Sequence, residues 1–133
     1  MPLSDDAYCD RSRRVIARLA KEVVCETHGI AHSELLDAPR GGSRLALARQ
    51  TAAYLAHVVG QLTLNEIAAC FNKSRTTISH ACISIEDRRD SPIFDLELEY
   101  MEKRLRERIA DFRRGFSNRK KPLDPADIFS RPR

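Results

Sequence analysis

The sequence predicts an all-α protein, a bundle of five to six helices. Three observations lead there. Apolar residues recur at three- and four-residue spacing along most of the chain. Glycine and proline are sparse until the C-terminal tail, too sparse for the many turns of a β fold. Tryptophan is absent and aromatic residues make up only 6%, so the core must be built mainly from aliphatic side chains on packed helices. A chain of 133 residues suits one domain. The pattern assigns that domain to residues 1–114 and leaves 115–133 as a basic, aperiodic tail expected to be disordered.

The first helix is expected over residues 5–28. Ser4 is its candidate N-cap, Asp5 and Asp6 suit the positive end of the dipole, and Gly29 suits the stop. Its inner face is Ile16, Leu19, Ala20, Val23 and Val24. "HSELLD" (32–37) reads as one short helical turn, and "APRGGSR" (38–44) as a loop carrying Arg40 and Arg44. Residues 44–59 form the next helix, with Leu45, Ala48, Ala52, Leu55 and Val59 in one stripe and Gly60 at its end. "TLNE" (63–66) is a capping box opening a short helix with Leu64, Ile67, Ala68 and Phe71 turned inward. Ser74 then caps a helix whose inner face is Ile78, Ala81, Cys82 and Ile85. "RRDSP" interrupts the chain, Pro92 suits a first helical position, and the last helix runs over 93–112. Leu98, Met101, Leu105, Ile109 and Phe112 line one side of it.

Composition narrows the function classes. No apolar run approaches the roughly 18 residues of a membrane span. The acidic "MPLSDDAY" start has no apolar stretch behind it, so a cytoplasmic protein is expected. Cys9, Cys25, Cys70 and Cys82 form no CxxC pair and read as buried reduced thiols. A zinc site from Cys70, His80 and Cys82 matches no standard spacing, so no metal or other cofactor is expected. No nucleophile–base arrangement is visible, so no enzyme is expected either. The net charge is +4, unevenly spread. Residues 38–85 set Arg40, Arg44, Arg49, Lys73 and Arg75 against Glu66 alone, and the tail from Arg113 has seven cations against two anions. Such local basic stretches point to an anionic partner.

Residues 63–70 and 74–87 have the lengths and order of a helix-turn-helix. In that motif the second helix enters the major groove N-terminus first. With Ile78, Ala81, Cys82 and Ile85 inside, the outward positions are Arg75, Thr76, Ser79, His80 and Ile83. Arginine can bridge guanine O6 and N7, and threonine offers a hydroxyl and a methyl. Lys73 and the open backbone N–H groups at the helix start suit a phosphate.

Residues 48–86 also resemble the C-terminal DNA-binding domain of the bacterial replication initiator DnaA. The resemblance lies in Arg49-Gln50, Leu55-Ala56, Leu64-Asn65-Glu66-Ile67, Phe71 and Lys73-Ser74-Arg75-Thr76-Thr77-Ile78-Ser79-His80-Ala81. It continues weakly over roughly residues 10–110. It implies the helical fold shared by the tryptophan repressor and the DnaA C-terminal domain. It also implies sequence-specific binding of double-stranded DNA, by a bacterial, nucleoid-associated regulator of transcription or modulator of replication initiation. Base contacts would fall to Ser74, Arg75, Thr76, Thr77 and His80. Minor-groove insertion would fall to Arg40 or Arg44. The DNA backbone would meet Arg49, Gln50, His57, Leu64, Asn65 and Lys73. Ser74-Arg75 stands where the family has Asp-His, Lys73 replaces an arginine, and Asn72 replaces two glycines. Serine can donate where aspartate only accepts, and Arg75 brings a guanine-competent fork. The sequence read is therefore expected to differ from the initiator's. No GxxxxGK[ST] segment is present, so no bound nucleotide is expected and the chain is expected to act without the initiator's ATPase module. The competing expectation is a protein-interaction module or homodimer using the terminal helices, with Leu98, Met101, Leu105 and Phe112 as the seam.

Overall fold

A computed structural model describes residues 3–37 and 42–119; for residues 3–10, 36, 37, 43 and 116–119 it describes the backbone alone. Six helices follow one another among the described residues: α1 (Leu3–His28), α2 (His32–Asp37), α3 (Gly42–Val58), α4 (Leu64–Phe71), α5 (Arg75–Arg88) and α6 (Pro92–Arg119). Arg40 and the segment 120–133 lie outside the described residues.

Helix α3 is the axle of the bundle. Thr51 to Ala56 are all buried, so this helix is covered on every side at its middle. Small residues (Ala48, Ala52, Ala53, Ala56) let neighbours approach closely, and the Thr51 hydroxyl donates back to the Leu47 carbonyl at 2.8 Å. Around α3 pack the stripes expected from periodicity: Ile16, Ala20, Val23 and Val24 of α1, Ile67 and Ala68 of α4, and Ile78, Ala81 and Ile85 of α5. Leu98, Met101 and Leu105 of α6 are fully buried in the same core. Three of the four residues of the seam considered for a protein partner are thus spent inside the bundle, and Phe112 is half-buried. The three are buried because the middle of α6 faces this core.

Two backbone positions fix the joints. Gly29 has φ +66°, the left-handed conformation that ends α1 as expected. Gly60 is needed for another reason: a Cβ there would sit 2.5 Å from Ile16 Cγ2 and 2.6 Å from the Ala56 carbonyl oxygen. Its lack of a side chain lets the α3–α4 turn lie directly on α1.

Three expectations are corrected. Helical backbone begins at Leu3, so Ser4 lies inside α1 and does not cap it. Helix α6 does not stop at 112 but runs to Arg119, with Gly115 inside it, past the domain boundary drawn at 114. A continuing helix tolerates one glycine because each further residue adds a hydrogen bond to a helix already nucleated. Cys70 and Cys82 are reduced but only half-buried, at the flank of the inner stripe; Cys25 is buried, and burial followed by the nearby Glu22, Glu26 and Glu34 pushes its pKa up.

Candidate nucleic-acid interface

The turn between α4 and α5 is set by local chemistry. The α4 capping box is complete: the Thr63 hydroxyl accepts from the Glu66 N–H at 3.1 Å, and the Thr63 N–H donates to Glu66 Oε1 at 2.8 Å. The other Glu66 oxygen meets Arg13 Nε at 2.7 Å, tying α4 to α1. Glu66 is therefore structural. Helix α4 ends at Asn72, whose φ of 55° and ψ of 49° are left-handed. Asparagine tolerates that region better than other non-glycine residues, so it can end the helix where glycine is the usual choice. The Lys73 N–H donates to the Ala68 carbonyl at 3.0 Å, closing the turn.

Ser74 is the N-cap of α5. It is extended (φ −74°, ψ 156°), and its hydroxyl accepts from the Thr77 N–H at 3.1 Å. The two hydroxyls also lie 2.9 Å apart, one donating to the other. Ile78, Ala81 and Ile85 point into the core, while Ser74, Arg75, Thr76, Thr77 and His80 are all exposed around the start of α5. The structure leaves all five expected base-contact residues accessible: Arg75, Thr76 and His80 lie on the side away from the core, and Ser74 and Thr77 at its edge, where Thr77 also lines a cavity. Ile83 continues that face as an exposed apolar side chain, 57% accessible.

The far end of α5 is locked. Arg89 Nη1 donates to Tyr54 Oη at 2.9 Å and to Glu102 Oε2 at 3.0 Å, and its Nε meets Asp95 Oδ1 at 2.6 Å. Tyr54 in turn donates to Glu86 Oε2 at 3.0 Å. Burial works against the Arg89 charge, but the bonds to Asp95, Tyr54 and Glu102 outweigh it and hold its pKa above the ordinary arginine value. This network pins α5 to α3 and α6, which aims the opposite end of α5 outward.

The expected backbone-contact residues fall into three groups. Leu64 and Asn65 open α4, the first half-buried and the second exposed. The capping box occupies the N–H groups on either side of them, so their own N–H groups face outward at the positive end of the helix. His57 is exposed beside them; its Nδ1 lies 2.8 Å from the Leu62 carbonyl, to which it donates, leaving Nε2 toward solvent. Arg49, Gln50 and Lys73 share a cavity of about 550 Å³ with Thr77, and Arg49 Nε donates to the Leu35 carbonyl at 2.9 Å. Arg44 stands apart: it is exposed in the first turn of α3 and donates to the carbonyl of His28, the last residue of α1.

One cation in the cavity escaped the sequence reading. Lys21 of α1 lines it too, with its Nζ 4.4 Å from the centre of the Phe71 ring. The signal was present: Ala17, Val24 and Cys25, its neighbours at helical spacing, are all buried, so Lys21 belongs to the inner half of α1.

Comparison with known proteins agrees with this geometry. The family model described as "Bacterial dnaA protein helix-turn-helix" matches residues 18–85. The chromosomal replication initiator protein DnaA of Caldanaerobacter subterraneus subsp. tengcongensis is 30% identical over 103 residues, covering 76% of this chain and 23% of that protein. DnaA of Thermoanaerobacter sp. is 30% identical over 99 residues, covering 73% and 22%. Among solved structures, one described as a DNA replication initiation factor superposes with a TM-score of 0.69 at 28% identity, covering 77% of this chain and 32% of that one. A replication initiator DnaA bound to AMPPCP and single-stranded DNA gives 0.66 at 26% identity, covering 77% and 31%. The chain spans about a quarter of the length of the curated relatives it matches.

Proposed function

The chain belongs to the bacterial DnaA helix-turn-helix family, and from that premise we propose that it binds double-stranded DNA sequence-specifically, acting as a transcriptional regulator or as a modulator of replication initiation at initiator-like sites. The observation that carries this reading is the outward face of α5. Arg75, Thr76 and His80 project from the start of a helix whose other side is sealed in the core. Arg75 is suited to the O6 and N7 acceptors of a guanine, and Thr76 and His80 to neighbouring base edges. Ser74 and Thr77 offer hydroxyls beside them.

The surroundings supply the sequence-independent grip. The N–H groups of Leu64 and Asn65, Arg49, Gln50 and Lys73 are suited to backbone phosphates, and so is His57 when its ring is an imidazolium with Nε2 protonated. Arg40 or Arg44 would enter the minor groove; Arg44 would give up its single bond to the His28 carbonyl to do so. Selection from a randomised duplex pool with the intact chain tests the reading. Enrichment of a defined consensus is expected, with affinity falling steeply with log[salt]. Recovery of no consensus and no salt-dependent duplex affinity would overturn it.

A further inference from the structure

Lys21 has an environment that differs from those of Arg13, Arg89 and Arg108. Arg13 meets Glu66, Arg89 meets Asp95 and Glu102, and Arg108 meets Glu22 and Glu26. Lys21 faces an aromatic ring and, among the described residues, no carboxylate. Burial lowers its pKa below the ordinary lysine value, and the Cys70 and Cys25 thiols offset that only in part. A half-buried ammonium that has lost part of its water and gained a ring in return is incompletely compensated, because a cation–π contact returns about 0.5–2 kcal/mol. An anion entering beside it would restore what burial removed.

The cavity has room for that anion. It opens between α1, α3 and the α4–α5 turn, and Lys21, Arg49 and Lys73 bring three cations to it. Gln50 and Thr77 add neutral polar groups. Its remaining walls, including Phe71 and Ile78, are apolar and keep the dielectric low, so charge acts at greater strength there than on an open surface. No described acidic side chain lines it. Lys73 and Thr77, at the start of the helix assigned to the major groove, both line it and are exposed, so a phosphate on the groove's rim is the anion within reach.

We propose that this cavity is a seat for one backbone phosphate of the bound duplex, and that Lys21, from α1 and outside the helix-turn-helix, is its innermost cation. The proposal rests on the duplex-binding reading. Its test compares the intact chain with Lys21→Met and Lys21→Gln, which keep the length of the side chain and remove the charge. Duplex affinity is read by fluorescence anisotropy across a salt series, with thermal unfolding measured on the free proteins. Both variants are expected to unfold at or above the temperature of the parent, because a desolvated charge has been removed. They are expected to bind all duplexes more weakly by a common factor, with the slope of log K against log[salt] reduced by about one. A parent that binds while both variants match it in affinity and slope overturns the Lys21 seat and leaves duplex binding standing. A parent that binds no duplex overturns both. Binding of inorganic phosphate that Lys21→Met abolishes, with duplex affinity untouched, would assign the seat to a free anion and also overturn the proposal. Variants that lose both thermal stability and affinity would mark Lys21 as a packing residue and overturn it as well.

Discussion

Ser74 and Thr77 act as one polar unit. The Ser74 hydroxyl caps the Thr77 N–H at 3.1 Å, and the two hydroxyl oxygens share a hydrogen bond of 2.9 Å. Together they hold two hydroxyl protons, one of which lies between them. A single donor remains for an outside acceptor, from whichever residue is not donating to the other. The pair should therefore contribute to base reading jointly. In a double-mutant cycle, Ser74→Ala and Thr77→Ala are expected to be non-additive in duplex affinity, with a coupling of at least about 0.5 kcal/mol. Ser74→Ala should also cost about 0.5–2 kcal/mol of stability as a lost cap. Additive effects in a denaturation and binding series would separate the two residues.

Arg75 is exposed at the first position of α5. Arg75→Ala is expected to cost about 1–3 kcal/mol at one base pair and to relax preference there. An unchanged consensus in the duplex selection would remove Arg75 from base reading.

Glu102 is buried, and Arg89 is its charge partner at 3.0 Å. Arg89→Met leaves that carboxylate without a cation and Tyr54 without a donor. Urea unfolding should report a loss of about 3 kcal/mol or more. The conservative Arg89→Lys should recover only part of it, because one ammonium cannot reproduce the fork to Asp95, Tyr54 and Glu102.

Gly60→Ala places a methyl within 2.5 Å of Ile16 Cγ2 and 2.6 Å of the Ala56 carbonyl oxygen. The nearer atom belongs to a buried core side chain and the other is backbone, so neither can yield freely. A destabilisation of about 1–3 kcal/mol is expected by the same unfolding measurement. A combined Gly60→Ala, Ile16→Val variant should relieve part of it.

The basic segment beyond Arg119 carries Lys120, Lys121, Arg131 and Arg133 against Asp124 and Asp127. Truncation after Arg119 keeps α6 whole and should weaken binding to every duplex alike, with a shallower salt slope and an unchanged consensus. A shifted consensus would give the tail a reading role instead.

Much of this protein was legible in the sequence by itself. Apolar spacing identified five of the helices and most of their inner faces, from Ile16 to Ile109, and His32–Asp37 read as a short helical turn. The capping box at Thr63–Glu66, the cap at Ser74 and the stop at Gly29 each resolved as expected. These signals are local: a cap or a helix face is decided by residues three or four apart, so one segment contains all of it. Only the tertiary structure decided the rest. Arg44 donates to His28 across 16 residues, Arg89 reaches Tyr54 across 35, and Arg108 reaches Glu26 across 82. Lys21 lies over Phe71, and Arg49, Gln50 and Lys73 line one cavity with it. No periodicity encodes such meetings, because they depend on how whole helices pack around α3. Thus the outward residues of α5 could be read from the sequence, whereas the cavity beside them required the folded bundle.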